Sequence, residues 1–174
     1  IETSSGSGTI TLGQSGETVI FGSGVTTKFN QPAFLATLST NQSISHNTVT
    51  KVQFDTEVFD TDNCYDNSTN YRFTPTVAGK YFVTIQAGFA NLNNVTHRIV
   101  LEIHKNGSTY ARVGDLAANS DASADPNLTI SDIVEMNGST DYVEGALYQD
   151  TGGAVNTFAS DTFNRFQAYR LGVE

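Results

Sequence analysis

Apolar and polar residues alternate with a period of two along most of this chain. The longest run covers residues 80–90, where Tyr81, Val83, Ile85, Ala87 and Phe89 share one face, because successive side chains of a strand point to opposite sides. Residues 97–105 repeat the pattern with Ile99, Leu101 and Ile103. Shorter runs predict strands at 33–37, 48–55 (Val52 and Phe54 on one face), 71–74, 108–113, 128–136, 141–149 and 162–171. Thr, Val, Ile, Tyr and Phe fill these runs, and Gly, Asn and Asp separate them. No window carries a capped amphipathic helix. So many short strands in one chain imply an all-β sandwich or jelly roll.

The punctuation agrees. Asn106-Gly107 and Asn137-Gly138 predict tight turns whose two central residues both take positive φ. Residues 74–79 read as a Pro-to-Gly turn feeding the longest strand. The connections 39–47, 60–70, 114–127 and 150–161 are long, and loops of that length carry function or move.

Residues 1–31 differ from the rest. They are rich in Gly, Ser and Thr, and Thr9-Ile10-Thr11-Leu12-Gly13 is echoed by Thr18-Val19-Ile20-Phe21-Gly22. Such short strands bury no face alone, so the segment is either a β-structured shaft completed by other chains or a flexible linker. The division is therefore a shaft or linker over 1–31 and a head over 32–174.

Composition narrows the partners. The chain has 174 residues, 38% of them hydrophobic, with 9 basic against 18 acidic side chains and a net charge of −9. A nucleic-acid partner needs clustered Lys and Arg, and an anionic membrane surface needs the same. No apolar run approaches the ~18 residues of a membrane-spanning helix. The chain begins at Ile1, as a fragment or processed form does, so a missing leader says nothing. The lone Cys64 excludes an intrachain disulfide and any Cys-cluster metal site.

Catalytic patterns are missing. There is no Gly-x-Ser-x-Gly elbow, no paired-His site and no phosphate loop before a helix; carboxylates are plentiful, but no pair stands out for work on a sugar. Residues 60–66 (DTDNCYD) alternate oxygen ligands like the opening of a calcium loop, but Tyr65 takes the place of the required Gly and Tyr71 that of the distal Glu. Asx turns are the plainer reading. Acidic neighbours Asp62 and Asp66 predict an unreactive Cys64. His46, His97 and His104 read as hydrogen-bonding residues, and the sequons at Asn41, Asn67, Asn94, Asn106, Asn127 and Asn137 as mostly accidental in so Asn- and Thr-rich a chain.

Several separated segments share a family pattern. Phe54, Asp60 and Tyr65 precede Phe73, which is followed by Gly79, Tyr81 and alternating apolar residues. Residues 101–107 (LEIHKNG) and 161–166 (DTFNRF) follow in order. The region 32–172 resembles the globular head of complement C1q and its tumour-necrosis-factor-like relatives, with Arg165 where those proteins usually have Gly. The resemblance implies a ten-stranded jelly roll packed as a homotrimer around an aromatic-rich axis. Tyr81, Phe89, Phe166 and Tyr169 are the expected trimer-core residues, since an exposed apolar sheet face is normally covered by a partner. Some relatives hold calcium near that axis; its ligands are not assignable here, and no other cofactor is expected. Residues 8–28 are similar to the shaft ends of bacteriophage fibres.

These resemblances imply a non-enzymatic virion protein: a homotrimeric tail- or head-fibre tip that binds a host-cell receptor, of glycan or other surface polymer, and joins other virion proteins through its N-terminal segment. Asp115, Asn119, Asp121, Asp125, Asp150 and Asn156 in the loops expected at the far end are the candidate receptor residues; the connection 74–79 and the span 105–127 are expected at that end too. A secreted C1q-like recognition module is the alternative, and a glycan-cleaving virion enzyme a third reading.

Overall fold

A computed structural model describes residues 31–92, 96–118 and 125–172, with the isolated Ser23. The expected shaft lies outside these residues. Among them the only regular elements are strands: β1 (Ala33–Leu38), β2 (Ser43–Ile44), β3 (Thr50–Lys51), β4 (Thr56–Asp60), β5 (Tyr65–Asp66), β6 (Arg72–Phe73), β7 (Gly79–Gly88), β8 (Thr96–Lys105), β9 (Ser108–Ala118), β10 (Asn127–Met136), β11 (Val143–Gln149), β12 (Val155–Asn156) and β13 (Ser160–Arg170). They form a jelly-roll sandwich. One sheet has the order β10-β7-β13-β1-β4; the other runs β5-β6-β11-β8-β9, with β3 also on β11; β12 and β2 make a small third ladder. Every pairing is antiparallel. There are thirteen segments rather than ten because β2, β3, β5, β6 and β12 are two-residue pieces.

The alternation of β7 sends Tyr81, Val83, Ile85 and Ala87 into the core and leaves Phe82, Thr84 and Gln86 on the outer face. Ile99, Leu101 and Ile103 of β8 meet them from the opposite sheet. The aromatic residues of the family pattern are one packing unit. Phe34 stacks on Tyr65 at 4.5 Å and on Phe73 at 4.7 Å, and meets Phe166 edge-on at 4.8 Å. Phe54 packs on Phe166 and Phe73 on Tyr81. Rings at these spacings stabilise beyond their buried area.

Three local expectations change. The run 48–55 is not one strand: backbone bonding to β11 ends at Val52, whose N–H donates to Gly145 O at 2.9 Å, and Gln53 N–H is taken instead by the Gln42 side chain at 2.9 Å. Val52 and Phe54 nevertheless point inward, fully buried. The edge strand β4 went unread because four of its five residues are exposed, so neither face carries an apolar alternation. Asn106-Gly107 is the tight hairpin turn expected, with φ of 53° and 77°. At Asn137-Gly138 only the glycine has positive φ, 71°. There the chain crosses between sheets over six residues, and Asn137 Oδ1 accepts from Ser139, Thr140 and Asp141 N–H.

Register fixes the two ends of the sandwich. Ala33 pairs with Tyr169, Asp60 with Phe34, and Met136 with Gly79 at one end. There Arg170 N–H donates to the Pro32 carbonyl at 3.1 Å, so the head's entry and exit lie side by side. Gly88, Asn127 and Ser160 mark the other end. The connection 74–79 is at the end of the termini, corrected from the far end, because Arg170 Nη2 donates to Ala78 O at 2.8 Å. The span 105–127 divides between the ends: its hairpin turn at 106–107 is at the near one.

Candidate functional site

At the end opposite the termini the connections 39–49 and 150–159 meet, with residues 89–92 and 125–126 beside them. Buried side chains beneath tie the two connections to each other and to the end of β7. Gln149 occupies an inward position of β11 and is fully buried. Its Nε2 donates to the carbonyls of Ile44 (2.9 Å) and Gly153 (2.8 Å), and its Oε1 accepts from Thr151 N–H and Oγ1, both at 2.7 Å. All four bonding positions of the amide are filled. Thr157, also fully buried, accepts from Gln42 N–H at 2.9 Å and returns its own N–H to Gln42 O at 2.8 Å. Asn164 of β13 accepts from Gly88 N–H at 3.0 Å and donates to Phe158 O. At the rim, His46 Nδ1 accepts from Gly152 N–H at 3.0 Å, and Tyr148 OH donates to Asn47. Buried polar groups cost stability unless bonded. These serve to hold loop backbone in one shape.

Of the expected receptor residues, the structure brings Asp125, Asp150 and Asn156 to this end. Asp125 is exposed and accepts from Asn91 N–H at 2.8 Å. Asp150 accepts from Arg98 N–H at 2.6 Å and its own N–H returns to Arg98 O. Asn156 is exposed, pairs with Ser43, and accepts from Ala90 N–H through its carbonyl. Asp115 lies within β9 opposite Ile99, on the strand leading to the loop. Asn119 and Asp121 lie outside the described residues. Asp125 and Asp150 therefore have loop-holding roles already. Gln149, Thr157 and Asn164 were not read from the sequence, although Gln149 and Asn164 are in phase with the inward residues Leu147 and Phe166.

The expected trimer-core residues separate into two kinds. Tyr81, Phe89 and Phe166 are fully buried within one protomer; they form its own core and leave no surface for a second chain, which corrects their assignment. Tyr169 faces outward and is 50% exposed. It lies in a row across the five-stranded sheet, Ala33–Tyr169–Phe82–Ile133, with its ring 5.6 Å from that of Phe82. Ile133 is 48% exposed, and Tyr110 OH reaches its carbonyl from β9. Further along the same face, Arg165 lines a shallow polar depression with Thr84, Gln86 and Gln167.

The remaining chemistry is local. Asp60, first of the calcium-like run, uses its oxygens on Asp62 N–H and Tyr65 N–H within its own loop. Burial is the main cause that pushes the Cys64 thiol up, opposed by hydrogen bonding to Thr76, with Asp60 and Asp62 adding to it; of the two expected neighbours, Asp62 acts, and weakly. His104 bonds the buried Glu102 at 2.6 Å. The sequon residues Asn41, Asn67, Asn106, Asn127 and Asn137 all have side chains engaged with backbone.

A comparison with curated protein sequences finds no match. Solved structures with the same fold include Eiger TNF from S. frugiperda, 11% identical, covering 83% of this chain and 93% of that one at a TM-score of 0.58. Murine APRIL at pH 5.0 is 14% identical and covers 82% of this chain and 100% of its own at a TM-score of 0.59. The C1q domain model matches residues 33–158, the span from β1 through β12 that carries every strand of the sandwich but β13, and the chain belongs to the C1q domain family.

Proposed function

We propose that this chain is the head of a homotrimeric recognition module that binds its receptor with the loop face opposite the termini. C1q and tumour-necrosis-factor-like domains are binding modules that typically form homotrimers. The observation that carries the reading here is the outward row Tyr169–Phe82–Ile133, an apolar stripe on a sheet face that elsewhere displays Thr, Gln and Arg together with the exposed Phe59 and Phe163. Contiguous exposed apolar surface is characteristically covered by a partner. Three copies joined through this sheet would have their termini on one side and their braced loops on the other. Small polar residues on those loops suit a glycan or another surface polymer. The Gly/Ser/Thr-rich repeat at residues 9–22 supports the finer proposal, a virion fibre tip whose N-terminal segment joins other virion proteins. The module is a binder and not a catalyst.

Light scattering tests the assembly. A solution mass of about three times 18.7 kDa is expected, and a fall in mass with EDTA would add an axial cation. A stable monomer in both buffers overturns the trimeric reading. Retention of the intact chain on host-cell surface polysaccharide tests the receptor class.

A further inference from the structure

A second polar surface lies at the free edge of the β5–β6 ladder, at the end of the termini and away from the braced loops. Register pairs Tyr65 with Phe73 and Asp66 with Arg72. Tyr65 and Phe73 turn into the core, so Asp66 and Arg72 share the outer side. They form no ion pair. Asp66 is saturated by its own loop: Oδ1 accepts from Ser68 N–H (3.0 Å), Thr69 N–H (2.9 Å) and Ser68 Oγ, and Oδ2 accepts from Asn70 N–H (3.1 Å) and Nδ2 (2.7 Å). These bonds hold its carboxyl well below the usual carboxylate range.

Arg72 is held differently. Its guanidinium carbon sits 4.2 Å from the centre of the Tyr142 ring, and among the described residues no hydrogen-bond acceptor or carboxylate serves it. Stacking on a ring fixes the plane of a guanidinium and leaves its N–H edge free, the geometry that takes a carboxylate in two parallel bonds. A shallow groove opens beside it, whose polar lining is Asn63, Asn67, Ser68, Asn70, Arg72 and Thr74, with Asp66 at its wall turned to its own loop. The Asn67 and Asn70 amides donate to Asp55 O and to Asp66, which leaves their side-chain oxygens without a donor among the described residues. Between loop and strand, Tyr71 takes a φ of 49°, whereas among the described residues the other non-glycine positions with positive φ are all asparagines. An aromatic residue there is an outlier of the kind that clusters at ligand sites.

We infer that this groove binds a saccharide bearing a carboxylate, with Arg72 on the acid group and the amide carbonyls and hydroxyls of Asn67, Asn70 and Thr74 on ring hydroxyls. The site is independent of the loop face proposed for the receptor and needs only one protomer.

Isotope-labelled full-length protein titrated with glucuronic acid, with glucose and with acetate tests it by amide chemical shifts. Glucuronic acid should move Ser68, Asn70, Arg72 and Thr74 in a saturable way, and glucose should not. Arg72→Gln should weaken the response tenfold or more, since a charge-assisted pair is worth at least about 1.4 kcal/mol, while core amides such as Ile85 keep their positions and report an intact fold. No saturable shift with the acid sugar, an equal response in Arg72→Gln, or the same affinity for acetate alone would overturn the assignment.

Discussion

The side-chain amide of Gln149 donates to the Ile44 carbonyl at 2.9 Å, joining residues 105 positions apart in the chain. The same amide holds Gly153 and Thr151, so one side chain ties the 39–49 loop to the 150–159 loop. Gln149→Leu keeps the bulk and removes every polar partner. Each buried group left unsatisfied costs about 1–3 kcal/mol, and a loss of about 3 kcal/mol in urea unfolding is expected. Hydrogen exchange should accelerate at Thr151 and Gly152 and stay slow in β7. Unchanged exchange in that loop would mean the tie lies elsewhere.

Gln149 also shows what the sequence could tell. The strands with one face in the core were readable, since alternation over β7, β8 and β13 is a direct record of burial. Gln149 and Asn164 broke that alternation at inward positions, and a polar residue in an apolar phase is a legible sign of a buried hydrogen-bond node. Thr157 and His46 left no such sign, because they act through loop backbone that no periodicity describes. Strand β4 was unreadable for the opposite reason: Val58 and Phe59 are both exposed on an edge, where burial imposes no pattern. The trimer-core expectation failed for Tyr81 and Phe166 because a strand with one buried face does not say whether that face meets its own sheet partner or another chain. Register answers that, and places Tyr169 on the other side.

Asp66 makes the fold sensitive to acid. Its carboxyl is held below the ordinary range by the N–H groups of Thr69 and Ser68, with Asn70 adding to them. The unfolded chain therefore takes up the proton first as pH falls. The contribution is fully present above the unfolded value of about 4 and is lost on acidification below it. Asp66→Asn should cost about 1 kcal/mol at pH 7 and flatten the loss of stability as pH falls from about 4 toward 2. A variant whose acid profile superimposes on that of the parent would remove Asp66 as a cause.

Alkali should act through Tyr81. Its hydroxyl donates to Val77 O at 2.6 Å, and burial pushes its pKa up to about 12, with the Arg170 charge opposing. The folded protein thus keeps the phenol proton where the unfolded chain has released it. Stability is intact below the unfolded value of about 10 and declines as pH rises toward the folded one. Tyr81→Phe should lose about 1 kcal/mol at pH 7 and show a shallower decline between pH 10 and pH 12, measured by urea unfolding at each pH.

Tyr169 separates assembly from folding. Its ring stands half exposed against Phe82 on the outer sheet face, outside the core unit of Phe34, Phe73 and Phe166. A glutamate there keeps the strand, because the position is already open to solvent, so the thermal midpoint of an isolated head should move little. In a trimer built on this face the same change puts three carboxylates against apolar rings of neighbouring copies, and burying an unpaired charge costs several kcal/mol per ion. Tyr169→Glu should therefore convert a particle of three chains into a single folded chain by light scattering, with the far-ultraviolet spectrum unchanged. Gln167→Glu, one step along the same strand on the polar part of the face, is the matched control for charge. If Tyr169→Glu remains trimeric, the row Tyr169–Phe82–Ile133 is not the surface that joins the copies, whatever their number.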